Sequence, residues 1–313
     1  MLRLVLPVVL LDPAAVAEVS QHSVPTPRVL TPDGDRLGYA PVPRPYTGAR
    51  RLTGVLLGRD PVTRTDVVCG GTVIGSRSRS LVLTAAHCLY HDGRPLKHLA
   101  FLPGYERGRP RLGVWPAVRI WVPERWRTEP YSPSLLPYDV GLVGVVRRGR
   151  PLEAVTGRGL RPMPTSQGTE LRGLELLGYP VGKGYPGMTM YRCVGDAVEG
   201  LHHGPGLLVT RNCHAAAGGS GGPALYGGAL AGVVSSSSPL SDTKGYTVIT
   251  RLGGRVFERM LARADQSMLL ERQPGKRDEA TPTPTPAPTP APTLAPAPAP
   301  AAAAEPTPLK PPG

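Results

Sequence analysis

Short apolar runs punctuated by Gly and Pro fill the middle of the chain: Leu52–Leu57, Val67–Ile74, Leu81–Ala86, Val114–Val122, Val140–Val146, Leu174–Leu177, Leu207–Val209, Ala229–Val234 and Tyr246–Thr250. They are rich in Val and Leu and separated by turn formers, so each reads as a β-strand. Strands at this spacing, with no helical pattern between them, predict a sandwich or barrel rather than a parallel α/β sheet. One segment breaks the pattern. In Gly254–Ala264, Val256, Phe257, Met260 and Leu261 fall on one face of a helix, which predicts a C-terminal helix packed on the β-structure.

The flanks read differently. Residues 1–17 hold Arg3, an apolar run from Leu4 to Leu11, and Ala15-Val16-Ala17, a small-x-small site. That pattern reads as a signal peptide and predicts export, with a buried strand as the other reading. Residues 18–45 carry Pro25, Pro27, Pro32, Pro41, Pro43 and Pro45, a density that opposes helix and sheet ladder alike and predicts a linker or pro-segment. A folded domain is expected over 46–265. The tail, 266–313, is Pro/Thr/Ala-rich, and from about 274 it becomes a Pro-Thr and Pro-Ala repeat that cannot bury a core and stays extended and disordered. A spacer is its plainer role; a stalk giving cell-wall proximity is the sharper one. No apolar run reaches the length of a transmembrane helix.

Composition adds restraint. The net charge of +13 would suit a nucleic-acid or other polyanionic partner. Arg supplies 31 of the 36 basic residues, however, and these are scattered, which reads as a solvated basic surface with no nucleic acid expected. Four cysteines, Cys69, Cys88, Cys193 and Cys213, permit three pairings and in an exported chain read as two disulfides. None forms CxxC, and no Cys/His cluster has zinc spacing, so no metal site is expected.

Three segments carry chemistry: Thr84-Ala85-Ala86-His87-Cys88, Tyr138-Asp139-Val140-Gly141-Leu142 and Gly218-Gly219-Ser220-Gly221-Gly222-Pro223. A serine hydroxyl is a weak nucleophile until a base takes its proton. An imidazole such as His87 titrates in the right range for that task. A buried carboxylate such as Asp139 fixes the tautomer and stabilises the imidazolium. Glycines around Ser220 permit a backbone path that aims the amides of Gly218 and Ser220 at one point, an oxyanion hole. Each segment alone also has an ordinary reading: a Gly/Ser turn, a core histidine, a strand-start aspartate.

Together and in this order, TAAHC, YDVGL and GGSGGP resemble the trypsin-like serine peptidases of the chymotrypsin fold, over roughly residues 52–264, and among them the secreted actinobacterial members. The resemblance implies an all-β fold of two six-stranded antiparallel β-barrels with a C-terminal helix. His87, Asp139 and Ser220 become the catalytic residues, and Gly218 and Ser220 the oxyanion hole. Cys69-Gly70-Gly71 resembles the family's CGG strand, which implies that Cys69 pairs with Cys88; Cys193 and Cys213 then form the second bridge. Leu230–Ser235 resembles the strand beside the specificity pocket, to which His214, Ser235 and Ser237 are assigned.

Two departures narrow the expectation. Gly219 stands where digestive members carry Asp, and no IVGG-type start precedes Cys69, so their activation switch is not implied. His214 stands where trypsin has Asp, and Val234 where glutamate-specific members have His, so neither cleavage preference is implied. The reading is a secreted, extracellular, monomeric serine endopeptidase acting on polypeptide substrates through an acyl-enzyme, without a cofactor. The alternatives are a catalytically silent binding protein on the same fold, and a basic protein that binds polyanions.

Overall fold

The computed structural model describes residues 34–35, 37–163, 170–182, 184–199, 206–214, 216–237 and 246–271. The segment 1–17 and residues 272–313 of the expected tail lie outside the described residues, whereas 266–271, read as tail, end a helix in which Met268 is buried. Two closed six-stranded antiparallel β-barrels make up the fold. The first orders its strands β2 (Thr53–Arg59), β3 (Asp66–Ile74), β4 (Leu81–Thr84), β7 (Gly141–Val145), β6 (Trp115–Trp121) and β5 (Lys97–Pro103). The second orders β9 (Tyr191–Glu199), β8 (Leu171–Gly178), β11 (Pro223–Tyr226), β12 (Ala229–Ser237), β13 (Thr247–Arg251) and β10 (Leu207–Thr210), which returns to β9. Among the described residues no helix is long and apolar enough to cross a membrane.

The continuous apolar runs follow from strands buried on both faces. Successive side chains of a strand point to opposite sides. In β4, Val82 fills the first barrel while Leu81 and Leu83 pack outward. In β7, Val143 and Val145 point in and Leu142 out. The second barrel repeats this with Leu176 and Val234 inside and Leu177 and Val233 outside. The outward residues of both barrels merge into one core between them, and the C-terminal helix Gly254–Glu271 covers part of it. Its buried residues are Phe257, Met260, Ala264 and Met268, spaced for one helical face. The helix is longer than its apolar pattern suggested, and Val256, expected on the buried face, is 42% exposed.

The linker expected over 18–45 gives way at its C-terminal end. β1, Ala40–Pro41, pairs with Arg192 and Tyr191 of β9, and Tyr39, Ala40 and Val42 are buried. Pro41 is tolerated because β1 is an edge strand, where a missing N–H costs no central ladder bond.

Disulfides join Cys69 to Cys88 and Cys193 to Cys213, across 19 and 20 residues. In the chain-entropy model a loop of this size stabilises by about 3 kcal/mol. Replacing both Cys69 and Cys88 by alanine should therefore lower the unfolding free energy by about 3 kcal/mol in a denaturant titration. A loss under about 1 kcal/mol would show that the bridge adds little beyond the barrel.

Candidate active site

Antiparallel pairing of β4 with β7 sets Thr84 opposite Gly141. The chain leaving β4 and the chain entering β7 therefore share one end of the first barrel. His87 follows Thr84 on a single 3₁₀ turn, Ala86–Cys88, anchored by the disulfide to β3. Asp139 precedes Gly141 at the end of a second 3₁₀ turn, Pro133–Tyr138. Only 1% of Asp139 is exposed, and a buried carboxylate must be paired or strongly hydrogen-bonded. It is both. Asp139 Oδ1 accepts from the His87 backbone N–H (2.9 Å), and Oδ2 lies 2.7 Å from His87 Nδ1 and accepts from the Ser235 hydroxyl (2.5 Å). An ionised carboxylate can only accept, so this contact puts the neutral ring's proton on Nδ1 and leaves Nε2 as the basic atom. Burial opposes charging of His87, but the charge and hydrogen bond of Asp139 outweigh it, so its pKa is raised above the ordinary histidine value.

Ser220 arrives from the second barrel and is half-buried. Backbone contacts seat its loop. Gly70 N–H of β3 donates to Ser220 O (2.6 Å), Gly221 N–H to Val234 O (2.8 Å), and Val234 N–H to Gly222 O (2.9 Å). Gly221 has φ +76°, and a β-carbon there would lie 2.2 Å from Thr84 Oγ1 and 2.5 Å from Gly70 O. Only glycine lets this chain lie so close to the end of β4. The contacts close a ring: Gly221 touches Thr84 and bonds Val234, Ser235 bonds Asp139, and Asp139 holds His87. Among the described residues, Ser220 Oγ makes no hydrogen bond to His87.

Before Ser220, Gly218 has φ +82°. Gly219 N–H donates to Ala216 O (2.9 Å), whereas among the described residues the N–H groups of Gly218 and Ser220 have no backbone acceptor.

Two of the three residues assigned to a specificity pocket have described side chains. His214 is buried, and its N–H donates to Leu37 O (3.1 Å). Ser235 spends its hydroxyl on Asp139, a role the sequence reading did not assign. Its only signal in the sequence was a polar residue closing a buried apolar run. Ser237 ends β12, and its side chain lies outside the described residues. Cys69, His87 and Cys88 come within 4.8 Å of one another, but both sulfurs are joined in the disulfide and supply no thiolate. A cavity of about 430 Å³ lies elsewhere, where Trp121, Arg119 and Arg127 face Arg263 of the C-terminal helix.

No protein-family model and no curated protein matches the sequence. Solved structures do resemble it. The protease Anisep from Arthrobacter nicotinovorans shares 21% identity over 70% of this chain and 98% of its own, with a TM-score of 0.61. The thermostable serine protease AL20, from an extremophilic microorganism, shares 20% identity over 69% of this chain and 97% of its own, with a TM-score of 0.60. A Glu endopeptidase shares 16% identity over 76% of this chain and all of its own, with a TM-score of 0.58. At these identities the likeness establishes the chymotrypsin fold.

Proposed function

We propose that the chain is a secreted serine endopeptidase, with His87, Asp139 and Ser220 as its catalytic residues. The observation that carries this reading is the buried Asp139 carboxylate gripping His87 at both backbone N–H and Nδ1. In the reaction Ser220 Oγ attacks the scissile carbonyl carbon while His87 Nε2 takes its proton. The oxyanion is held by the N–H groups of Gly218 and Ser220. His87 then hands the proton to the leaving amine as the C–N bond breaks, giving an acyl-enzyme. Water, deprotonated by His87, attacks the ester carbonyl, and His87 then hands that proton to Ser220 Oγ as the ester C–O bond breaks and the carboxylic acid product leaves. No cofactor enters these steps. Two disulfides support an extracellular, oxidising location.

A specific observation favours a second reading, a silent peptidase-fold binding protein: Ser220 Oγ and His87 are not hydrogen-bonded. Such bonds are often long without substrate and tighten when it binds. Hydrolysis of an unfolded protein such as casein separates the readings. The proposal predicts turnover, and its absence in folded, processed protein would favour the binding role.

The pH profile follows from His87. The ring must be neutral to act as base, and its raised pKa keeps it protonated further up the pH scale. Activity, measured as kcat/KM, should fall as pH drops through a midpoint above the ordinary histidine value. A midpoint at or below that value would contradict the His87–Asp139 coupling.

A further inference from the structure

Residues 35 and 37–42 reach the second barrel at two places that bear on the Ser220 loop. Asp35 organises the turn: its Oδ1 accepts from Leu37 N–H (2.8 Å) and Tyr39 N–H (3.0 Å), and Gly38 N–H donates to Asp35 O (2.9 Å). The turn lies flat on its neighbours. Gly38 has φ +83°, and a β-carbon there would lie 2.3 Å from Asn212 O and 2.9 Å from Cys193 Sγ. At that end, His214 N–H donates to Leu37 O (3.1 Å), fixing the chain that leads into the Ser220 loop.

The second connection runs through the hairpin Val181–Gly182/Tyr185–Pro186. The Tyr185 hydroxyl donates to Asp35 Oδ2, and the Tyr39 and Tyr185 rings meet edge to face, centroids 6.4 Å apart. The same hairpin grips the oxyanion loop. Val181 N–H donates to Ala217 O (2.6 Å), and a β-carbon on Gly218 would lie 2.4 Å from Tyr179 O and 2.9 Å from Val181 Cγ2. The glycines at 218, 219, 221 and 222 bring no side chains of their own to pack, so the loop takes its shape from what surrounds it.

We infer that Asp35 and residues 37–39 brace the oxyanion hole, with Asp35 as a positioning residue that ties the entry at Cys213–His214 to the hairpin holding Ala217–Gly218. The inference rests on the serine-peptidase reading above. Oxyanion donors stabilise the transition state only if held in place beforehand, and an ångström of misplacement can cost about 10²-fold. The brace therefore acts on kcat more than on KM.

Steady-state kinetics of the full chain on a peptide substrate tests this, alongside thermal unfolding. Asp35→Ala should lower kcat by about 10- to 100-fold with KM within about twofold. Asp35→Asn should recover most of that loss, because its amide oxygen still accepts from Leu37 and Tyr39. Tyr185→Phe removes only the hydroxyl that reaches Asp35 and should lower kcat by a few-fold, which keeps the test decisive if Asp35→Ala does not fold. An active wild type whose Asp35→Ala or folded Tyr185→Phe variant keeps full kcat would overturn the brace alone. A folded, processed wild type that turns over no substrate would overturn the peptidase reading, and the brace with it.

Discussion

Ser220→Ala is expected to lower kcat by at least about 10⁴-fold while leaving the fold intact. The size follows from the role: without the hydroxyl no acyl-enzyme forms, and only binding and oxyanion stabilisation remain. The intact fold follows from how the loop is seated. Gly70 N–H bonds the Ser220 carbonyl, and Gly221 and Gly222 bond Val234, all through backbone atoms that alanine preserves. Ser220 Oγ supports no other residue through a hydrogen bond among the described residues. Kinetics on a peptide substrate and a thermal melt check both halves. Retained turnover would remove Ser220 from the mechanism; a collapsed melt would assign it a structural role instead.

Asp139→Asn should be nearly as damaging, lowering kcat by about 10⁴-fold. The carboxylate accepts three hydrogen bonds, from His87 N–H, His87 Nδ1–H and Ser235 Oγ, with both oxygens engaged. An asparagine offers one oxygen and one NH₂. If the NH₂ faces His87 Nδ1, it demands an acceptor there, moves the ring proton to Nε2 and removes the base. If it faces the His87 backbone N–H, two donors meet in a buried site, at a cost of about 1–3 kcal/mol. The loss of charge also removes the larger of the two effects that oppose burial at His87, so any residual activity should have its acid limb shifted to lower pH. Activity within about tenfold of wild type would mean that Asp139 orients nothing that matters to turnover.

The barrels were legible because most strands are apolar on both faces and bounded by turns. Val67–Ile74 and Val140–Val146 map almost directly onto β3 and β7. β9 was missed because Gly195 and Asp196 interrupt Tyr191–Glu199. β11 was missed because Pro223 follows a glycine run that reads as turn. β5 opens on Lys97 and His98, which mask the apolar residues after them. In each case long-range pairing overrides a weak local signal.

The candidate site divides along the same line. His87, Asp139 and Ser220 stand out because the chemistry demands those residue types in distinctive strings. Ser235 meets Asp139 across 96 residues, through the placement of β12 beside the first barrel, and no local pattern announces that contact. The strand Ala40–Pro41 and its flanking residues 37–39 and 42 were obscured by prolines, whose density argues against a ladder unless the strand is short and at an edge, as β1 is.

The central claim is an assembled nucleophile, and labelling with a fluorophosphonate probe followed by peptide mapping tests it most directly. Covalent label on Ser220, abolished by His87→Ala, is the predicted result, because the probe reports both an activated hydroxyl and a formed oxyanion hole. A folded, processed protein that takes no label at Ser220 would contradict the claim and leave a chymotrypsin-fold binding protein in its place.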